Sequence, residues 1–353
     1  MASGVSRLVC LHARSAIWIG VVSVIAAAHA VASAADNSPA RAFRIPSAAM
    51  TSPTAMRRAI SAAVAGSFDT VVVPVSATPL SDANLADSEA ELVRQARENG
   101  LRVHLAIAVN LAVATGELPS AREHVIYQHP EWLMVPRDAA VELLGVDARS
   151  PAYLGRLLRW TRANADRVSG IYVSPLDPDA ASYLVNAVTS ALARHAADGV
   201  YLEALDFPGE DFDYSRRALD LFRARTRNAL SPAERARVDE IEAIDPFAYE
   251  EEFPDAWRTF RESALTRLLE RLRSTLVAAN PSLGVTVSAS ADPDVSLRHH
   301  FQNWRAWLAG RIVDRIGYPG PSSGVVLFSA EGAAPADSSP LTSAQTAVGD
   351  GSR

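Results

Sequence analysis

The chain has 353 residues, of which 48% are hydrophobic and 21% are charged, and its formal net charge is −6 at pH 7. No basic stripe runs along the sequence, so nucleic acid is not an expected partner. Cys10 is the only cysteine, which excludes a disulfide scaffold and a cysteine-ligated metal site. Without the leader predicted below, about 320 residues remain, enough for one large domain with a substantial core.

The N-terminal residues have the pattern of a signal peptide. Arg7 and Arg14 accompany an apolar stretch at 16–25, and Ala32-Ser33-Ala34 supplies the small residues of a cleavage site. The alternative is an N-terminal membrane anchor, but the apolar stretch is shorter than the about 20 residues that span a bilayer. We therefore predict a signal peptide at 1–34, export to the periplasm or the outside of the cell, and no membrane span after cleavage.

Strand and helix patterns alternate along the rest of the chain. Helical patterns lie at 54–65, 88–99, 151–167, 179–197, 215–227, 255–279 and 297–309. Short apolar runs typical of strands lie at 42–45, 70–75, 102–109, 171–173, 199–203, 284–288, 312–316 and 325–328. Such alternation indicates an α/β protein with a largely parallel sheet, and about eight strands favour a (β/α)8 TIM-type barrel over an open doubly wound sheet.

One connection is too short for a regular barrel. Only residues 319–324 separate Tyr318 from the last predicted strand, whereas a parallel crossover needs on the order of a dozen residues. We therefore expect the barrel to be abridged or open between its last two strands. The barrel domain is predicted at 42–329, between a linker at 35–41 and a disordered tail at 330–353 that is rich in small and polar residues.

The sequence contains no motif that demands a cofactor or a metal. It has no glycine-rich phosphate loop, no GxSxG elbow and no HExxH. His299-His300 is expected to have a surface or packing role rather than to bind a metal, because adjacent residues of a helix point in different directions. Trp304 and Trp307 are expected to pack a helix onto the sheet rather than bind sugar, and Glu250-Glu251-Glu252 to form a solvated acidic face.

Acidic residues near the ends of predicted strands are the candidate catalytic groups, because the carboxyl ends of parallel barrel strands line the active site. Glu203 and Asp206 end the fifth predicted strand, Asp177 follows the fourth, and Asp292 follows the sixth. Glycoside hydrolysis needs two carboxyl groups, one protonated and one ionised. Glu203 shares a strand face with Tyr201, whereas Asp206 has the opposite parity unless the strand has already ended. Asp292 or Asp177 is therefore the more natural partner of Glu203, and the structural alternative for Glu203 is a hydrogen-bonded carboxylate.

Residues 198–215 (DGVYLEALDFPGEDFDYS) resemble the signature segment of the glycosyl hydrolase-like family 10 domain. Five further segments match the family in order and spacing, and the resemblance covers most of the chain from about 42 to 328. They are 68–71 (FDTV), 99–104 (NGLRVH), 129–133 (HPEWL), 257–261 (WRTFR) and 302–308 (QNWRAWL).

The resemblance implies a TIM barrel of an exported bacterial protein that acts on glycan or peptidoglycan-type substrates. In such an enzyme Glu203 would be the principal carboxylate, with Asp206, Asp292 or Asp177 as its partner. The residues expected to line the cleft are Tyr201, His104, Asn110, Trp132 and Tyr214.

Several strand ends depart from the family pattern. The family usually has an aspartate where this chain has Glu203, an arginine where it has Asp206 and a tyrosine where it has Phe207. Each change replaces or moves a group that could hold a sugar ring, and the change from arginine to aspartate reverses a local charge. Further departures are Ala106 and Ala108 in place of a tryptophan and an asparagine, and Pro74-Val75-Ser76 in place of a Gln-Val-Arg type sequence.

Two main hypotheses of function follow. The first is an exported glycoside hydrolase that acts on a bacterial polysaccharide or peptidoglycan-type glycan by two-carboxylate acid/base chemistry. The second is a non-catalytic descendant of the barrel that binds a glycan or another exported partner, and the substituted strand ends favour it. A third is a decayed copy with a merely structural role. Under the first two hypotheses a glycan is the expected ligand, and no feature indicates an oligomeric state.

Overall fold

The computed structural model describes residues 40–77, 83–115, 118–320 and 324–330. The predicted signal peptide, the first part of the linker and the predicted tail from 331 onward lie outside the described residues. Within those ranges no helix is long and apolar enough to cross a membrane.

The described part of the chain contains nine strands and twelve α-helices, with 3-10 helices at Ser47–Thr51 and Pro130–Trp132. The strands are β1 (Ala40–Arg44), β2 (Thr70–Pro74), β3 (Arg102–Ala108), β4 (Leu111–Ala114), β5 (Gly170–Tyr172), β6 (Gly199–Glu203), β7 (Gly284–Ser288), β8 (Arg315–Pro319) and β9 (Val325–Ser329). The helices are α1 (Pro53–Ala65), α2 (Ala83–Glu98), α3 (Val125–Gln128), α4 (Arg137–Leu143), α5 (Pro151–Ala163), α6 (Pro178–Ala193), α7 (Arg216–Ala229), α8 (Pro232–Glu242), α9 (Ala248–Glu252), α10 (Pro254–Ala279), α11 (Pro293–His300) and α12 (Trp304–Ala309).

Seven of these strands form a closed barrel in the order β1-β2-β3-β6-β7-β8-β9. From β1 to β8 in this order, each strand is parallel to the next one. Most of their residues are buried on both faces, as is typical of strands that pack under helices on one side and face a filled lumen on the other. The side chains in the lumen form their own apolar cluster, which consists of Ala42, Val72, Ala106, Tyr201, Val326 and Phe328.

The fourth predicted strand lies outside the barrel, so the barrel has seven strands instead of the eight expected. β5 has three residues and pairs antiparallel with β4 in a separate two-stranded sheet. Gly170 permits this pairing, because a Cβ atom there would overlap the backbone of Val113. β3 and β6 are therefore direct neighbours, in a register that runs from His104 beside Gly199 to Ala108 beside Glu203.

The abridgement predicted between the last two strands is confirmed, and the barrel closes there. β9 runs antiparallel to both β8 and β1. A reversal of direction needs only a short turn, whereas a parallel crossover needs a longer connection. The short segment after Tyr318 thus lets β9 close the barrel, and the TIM-type class is confirmed in an abridged form.

Proline marks the start of half of the helices. Six of the twelve begin at a proline, and in five of these the preceding Ser or Asp accepts a hydrogen bond from a backbone N–H of the first turn. Proline is suited to this position because it lacks an N–H that the helix would leave unpaired. Two of the capping residues, Asp177 and Asp292, are among the predicted catalytic acids.

The tryptophans of α12 have the packing role that was predicted. Trp304 and Trp307 are both buried, and the indole N–H of Trp307 donates to Thr266 Oγ1 at 2.9 Å.

The prediction of a solvated acidic face at 250–252 is wrong for its first residue. Glu250 is buried, and this burial raises its pKa to about 7.

Candidate active site

The chain changes direction where β6 ends. The strand ends at Glu203, and the next residue, Ala204, has a φ of 46°, in the left-handed region that residues other than glycine seldom adopt. The backbone N–H groups of Val109 and Asn110 donate to the carbonyls of Glu203 and Ala204 at 2.8 and 3.0 Å. Strand alternation therefore stops at Glu203, and the parity argument does not apply to Asp206.

Glu203 is paired with Arg44, the last residue of β1. The two terminal nitrogens of Arg44 donate to the two carboxylate oxygens of Glu203, and the Nη2–Oε2 distance is 2.9 Å. β1 and β6 lie on opposite sides of the barrel, so the pair crosses its mouth. The side chains are 27% and 22% exposed, and bidentate pairs of this kind are strong and directional.

The pair changes the electrostatics of the mouth. Burial alone would lower the pKa of Arg44, but the Glu203 carboxylate outweighs it and raises that pKa. Arg44 is therefore a fixed positive charge. A carboxylate has about four lone-pair directions, and the two bonds from Arg44 occupy two of them on Glu203.

Asp206 lies in a different environment. Its carboxylate Oδ2 is 3.7 Å from His300 Nδ1, and the two side chains are 24% and 20% exposed. Burial raises the pKa of Asp206 to about 6, and the charge of His300 acts in the opposite direction. The Asp206 charge in turn acts on the Tyr172 phenol, whose pKa is raised by burial and further by that charge. Asp206 thus favours the protonated form over a wider pH range than an ordinary aspartate does.

Asn110 and Gln302 hold the strand ends in place. The Asn110 amide donates to the Asp206 carbonyl at 2.9 Å, and the Gln302 amide donates to the Leu205 and Ser288 carbonyls at 3.0 Å each. Both side chains are buried. Asn110 Oδ1 has no hydrogen-bond partner among the described residues. Asn110, predicted to line the cleft, therefore anchors the turn after β6.

Asp177 and Asp292 have the contacts of helix caps. Asp177 accepts from the backbone N–H groups of the first turn of α6 and pairs with Arg217, whose Nε is 2.5 Å from Oδ2. Burial would raise the pKa of Asp177, but the Arg217 hydrogen bond and the backbone donors hold it below the usual range. Asp292 is exposed and accepts from the first turn of α11. These contacts give no support to the predicted role of either residue as the catalytic partner of Glu203.

His104 and Tyr201 lie in the packed lumen and not in an open cleft. The His104 ring stacks on Phe328 at 5.3 Å between centroids, and a Cβ at Gly199 would overlap it. His104 is level with the first residue of β6, so it lies about 13 Å along the strand from the level of Glu203. Burial, with the charges of Arg315 and Arg102, lowers the pKa of His104 to about 4. Tyr201 is buried on the same inner face.

The two remaining predicted cleft residues pack against other aromatic rings. Trp132 is half-buried and stacks on His129 at 3.7 Å between centroids. Tyr214 is buried edge-on against Phe247 and Trp257, at 5.5 and 5.7 Å. Tyr214 is therefore a core residue under the helices, while Trp132 keeps an exposed part.

Sequence reasoning did not assign Arg44 or His300 to the site. Arg44 is a charged residue inside an otherwise apolar predicted strand at 42–45. This single charge in an apolar strand is the feature of the sequence that could have indicated a functional role. His300 had a signal too, as the second of two adjacent histidines, but its position beside Asp206 depends on the path of the loop after β6. No group of three or more His, Cys, Asp or Glu is arranged to hold a metal ion among the described residues.

A closed, mainly parallel barrel defines the TIM-barrel class, in which functional side chains lie at the carboxyl ends of the strands. Within this class, the chain belongs to the glycosyl hydrolase-like 10 family, whose model matches residues 78–318. The resemblance inferred from the sequence is thereby confirmed.

Several solved structures are similar to the chain at low identity. The PgaB (BpsB) glycoside hydrolase domain from Bordetella bronchiseptica is 14% identical with a TM-score of 0.45, and the match covers 79% of this chain and 74% of that one. A beta-galactosidase from Bacillus circulans sp. alkalophilus is 12% identical with a TM-score of 0.47, over 80% of this chain and 39% of that one. The alpha-galactosidase from Lactobacillus brevis is 12% identical with a TM-score of 0.34, over 66% and 24%. A search of curated proteins gave no match.

Proposed function

We propose that the chain is a glycoside hydrolase that acts on a bacterial polysaccharide or peptidoglycan-type glycan. The observation behind the proposal is that two carboxyl groups at the end of β6 have opposite environments. Glu203 faces the fixed positive charge of Arg44, whereas burial raises the pKa of Asp206 to about 6. Two carboxyl groups whose surroundings differ in this way suit the ionised and the protonated roles in glycoside hydrolysis.

In the proposed reaction Asp206 is the general acid. Its proton moves to the glycosidic oxygen while the bond from that oxygen to the anomeric carbon breaks and its electron pair stays on the oxygen. The sugar ring gains positive charge in the transition state, and the Glu203 carboxylate stabilises that charge. If water forms the new bond to the anomeric carbon, its proton goes to the Glu203 carboxylate. If Glu203 forms that bond, water then breaks the glycosyl ester and gives its proton to Asp206, which restores both carboxyl groups. Arg44 keeps Glu203 oriented toward the barrel mouth.

A non-catalytic glycan-binding protein is the second candidate function. The Arg44–Glu203 pair occupies one position on each carboxylate oxygen, and the neighbouring strand ends carry Pro74 and Ala108. Under this alternative the ion pair is a structural bridge across the barrel mouth.

Turnover of defined glycans separates the two candidates. The purified chain without residues 1–34 would be incubated with denuded glycan strands and common β-linked oligosaccharides, beside the Glu203→Gln and Asp206→Asn variants. Turnover by the wild type that both substitutions abolish supports the hydrolase. Binding without turnover in every form contradicts it and supports the alternative. Asp292→Asn is the matched control, because asparagine removes the charge but caps a helix about as well as aspartate.

We also propose that the protein is exported, on the leader pattern at 1–34. Expression of the full chain in a bacterium that has a periplasm should give a processed protein outside the cytoplasm, whose N-terminus follows Ala34. The mass of the purified protein measures this. A full-length product retained in the cytoplasm would contradict export.

A further inference from the structure

His300 is held firmly against the turn that carries Asp206. Its ring Nδ1 lies 3.1 Å from the Phe207 carbonyl oxygen and 3.7 Å from Asp206 Oδ2. Its backbone carbonyl accepts from the Phe207 N–H at 3.4 Å. The last residue of α11 therefore contacts the turn after β6 through both its ring and its backbone.

The residues that follow His300 fix its position. Phe301 has a φ of 58° and packs edge-on against the Phe207 ring at 5.3 Å. The Arg261 guanidinium lies 4.0 Å from the centre of the Phe301 ring, and its Nη1 donates to the Glu210 carbonyl at 2.6 Å. A left-handed residue that is not glycine persists only where its surroundings determine it, and such residues are frequent at functional sites.

The Phe207 carbonyl near Nδ1 determines which ring nitrogen carries a proton. A carbonyl oxygen can only accept, so Nδ1 is the donor in the neutral and in the charged ring. Asp206 is thus next to a group that stays a donor and can become a cation.

We propose that His300 is a positioning residue for Asp206, which it orients toward the barrel mouth and whose carboxylate it stabilises once the proton has left. This inference rests on the proposed hydrolase function, in which Asp206 is the acid. The titratable groups that act on Asp206 are the His300 imidazole from α11 and the Tyr172 phenol from β5. Of these two, the imidazole is the one that can supply positive charge.

The test is the titration of Asp206, measured by NMR on carboxyl-labelled protein without any substrate. His300→Asn keeps a donor near the position of Nδ1 but cannot become a cation. It should raise the pH at which Asp206 titrates by about 0.8 unit, the shift produced by a unit charge 3.7 Å away at the dielectric constant of water. His299→Asn is the control, because His299 is half-exposed and pairs with Glu210 at 2.5 Å. If His300→Asn does not fold, His300→Gln is titrated instead.

An unchanged Asp206 titration in the His300 variant, or an equal shift in the His299 variant, would overturn the proposal. Turnover gives a second readout, since the alkaline limb of the pH–rate profile should move with the NMR titration in His300→Asn only. If the wild type has no turnover while the NMR shift is present, the hydrolase function fails and the pairing of His300 with Asp206 stands.

Discussion

The four predicted catalytic acids lie in two kinds of place. Glu203 ends the barrel strand β6 and Asp206 lies in the turn after it, whereas Asp177 and Asp292 cap the helices α6 and α11. All four lie at or soon after the end of a predicted strand, so position along the chain does not separate them. The residue that follows each acid does separate the two groups, because a proline follows Asp177 and Asp292 but not Glu203 or Asp206. An acid directly before a proline at a helix start indicates a cap.

Asp177 and Asp206 also differ in what the anion does to the fold. Asp177 is stabilised as an anion, as its lowered pKa shows. Asp206 is destabilised as an anion, since burial raises its pKa to about 6. A capping carboxylate therefore stabilises the fold at neutral pH, while Asp206 lowers its stability there, as expected of a group placed for chemistry.

The largest expected effect is on turnover. Asp206→Asn should lower kcat/KM by about 10²–10⁴-fold, the contribution of a general acid. In the wild type, kcat/KM should fall as the pH rises above about 6, because the acid must hold its proton and the pKa of Asp206 is raised to about 6. Asp292→Asn should keep both the rate and the profile. An equal loss in the two variants would remove the distinction between the two groups of acids.

The next effect is on stability at the caps. Asp177→Ala should lower the free energy of unfolding by about 2 kcal/mol at pH 7, because it removes both the cap and the partner of Arg217. Asp292→Ala, which removes an exposed cap, should lower the free energy of unfolding by about 1 kcal/mol or less. Since the folded pKa of Asp177 is lowered, its contribution is complete above the unfolded value near about 4 and is lost as the pH falls through the folded value. Urea unfolding at several pH values measures this, and an equal loss at pH 7 and pH 2 would contradict it.

The last expected effect is also small, and it has the opposite sign. Asp206→Asn should raise the free energy of unfolding by about 1 kcal/mol at pH 8, after allowance for the partial exposure of the group. With a folded pKa raised to about 6, the folded protein binds the extra proton between about pH 4 and 6, so stability from this group declines over that range as the pH rises. The gain of the variant should therefore disappear toward pH 4. The comparison with wild type at each pH cancels the effect of Glu250, and a less stable variant at pH 8 would contradict the prediction.

Features that depend on local chain length could be predicted from the sequence. Buried barrel strands are continuous apolar runs, and the minimum length of a parallel crossover predicted the abridged closure after Tyr318. The fourth strand could not be placed, because three apolar residues do not indicate which strand they pair with. His104 and Tyr201 do face the lumen, but the sequence does not show how much of the lumen is filled by packed side chains and where an open cleft would begin.

The ion pair at the barrel mouth shows more directly which contacts cannot be predicted from the sequence. Arg44 and Glu203 are 159 residues apart in the chain, on strands that face each other only when the barrel is closed. No local pattern of either strand predicts the other. No local pattern predicts the contact of His300 with Asp206 either, because it forms only when the end of α11 packs against the turn after β6.

The antiparallel closure by β9 has a consequence for the order in which the molecule can form. β1 pairs with β9 through Phe43 and Val325, which are 282 positions apart (325 − 43). A chain that emerges amino end first must therefore keep one edge of β1 unpaired until almost everything else has been synthesised, and an unpaired strand edge invites association with other chains. The region matched by the family, 78–318, leaves out β1, β2 and β9. A fragment cut at those limits would lack Arg44 and three of the seven barrel strands. The unpaired strand edges left by this cut would make the fragment prone to aggregate.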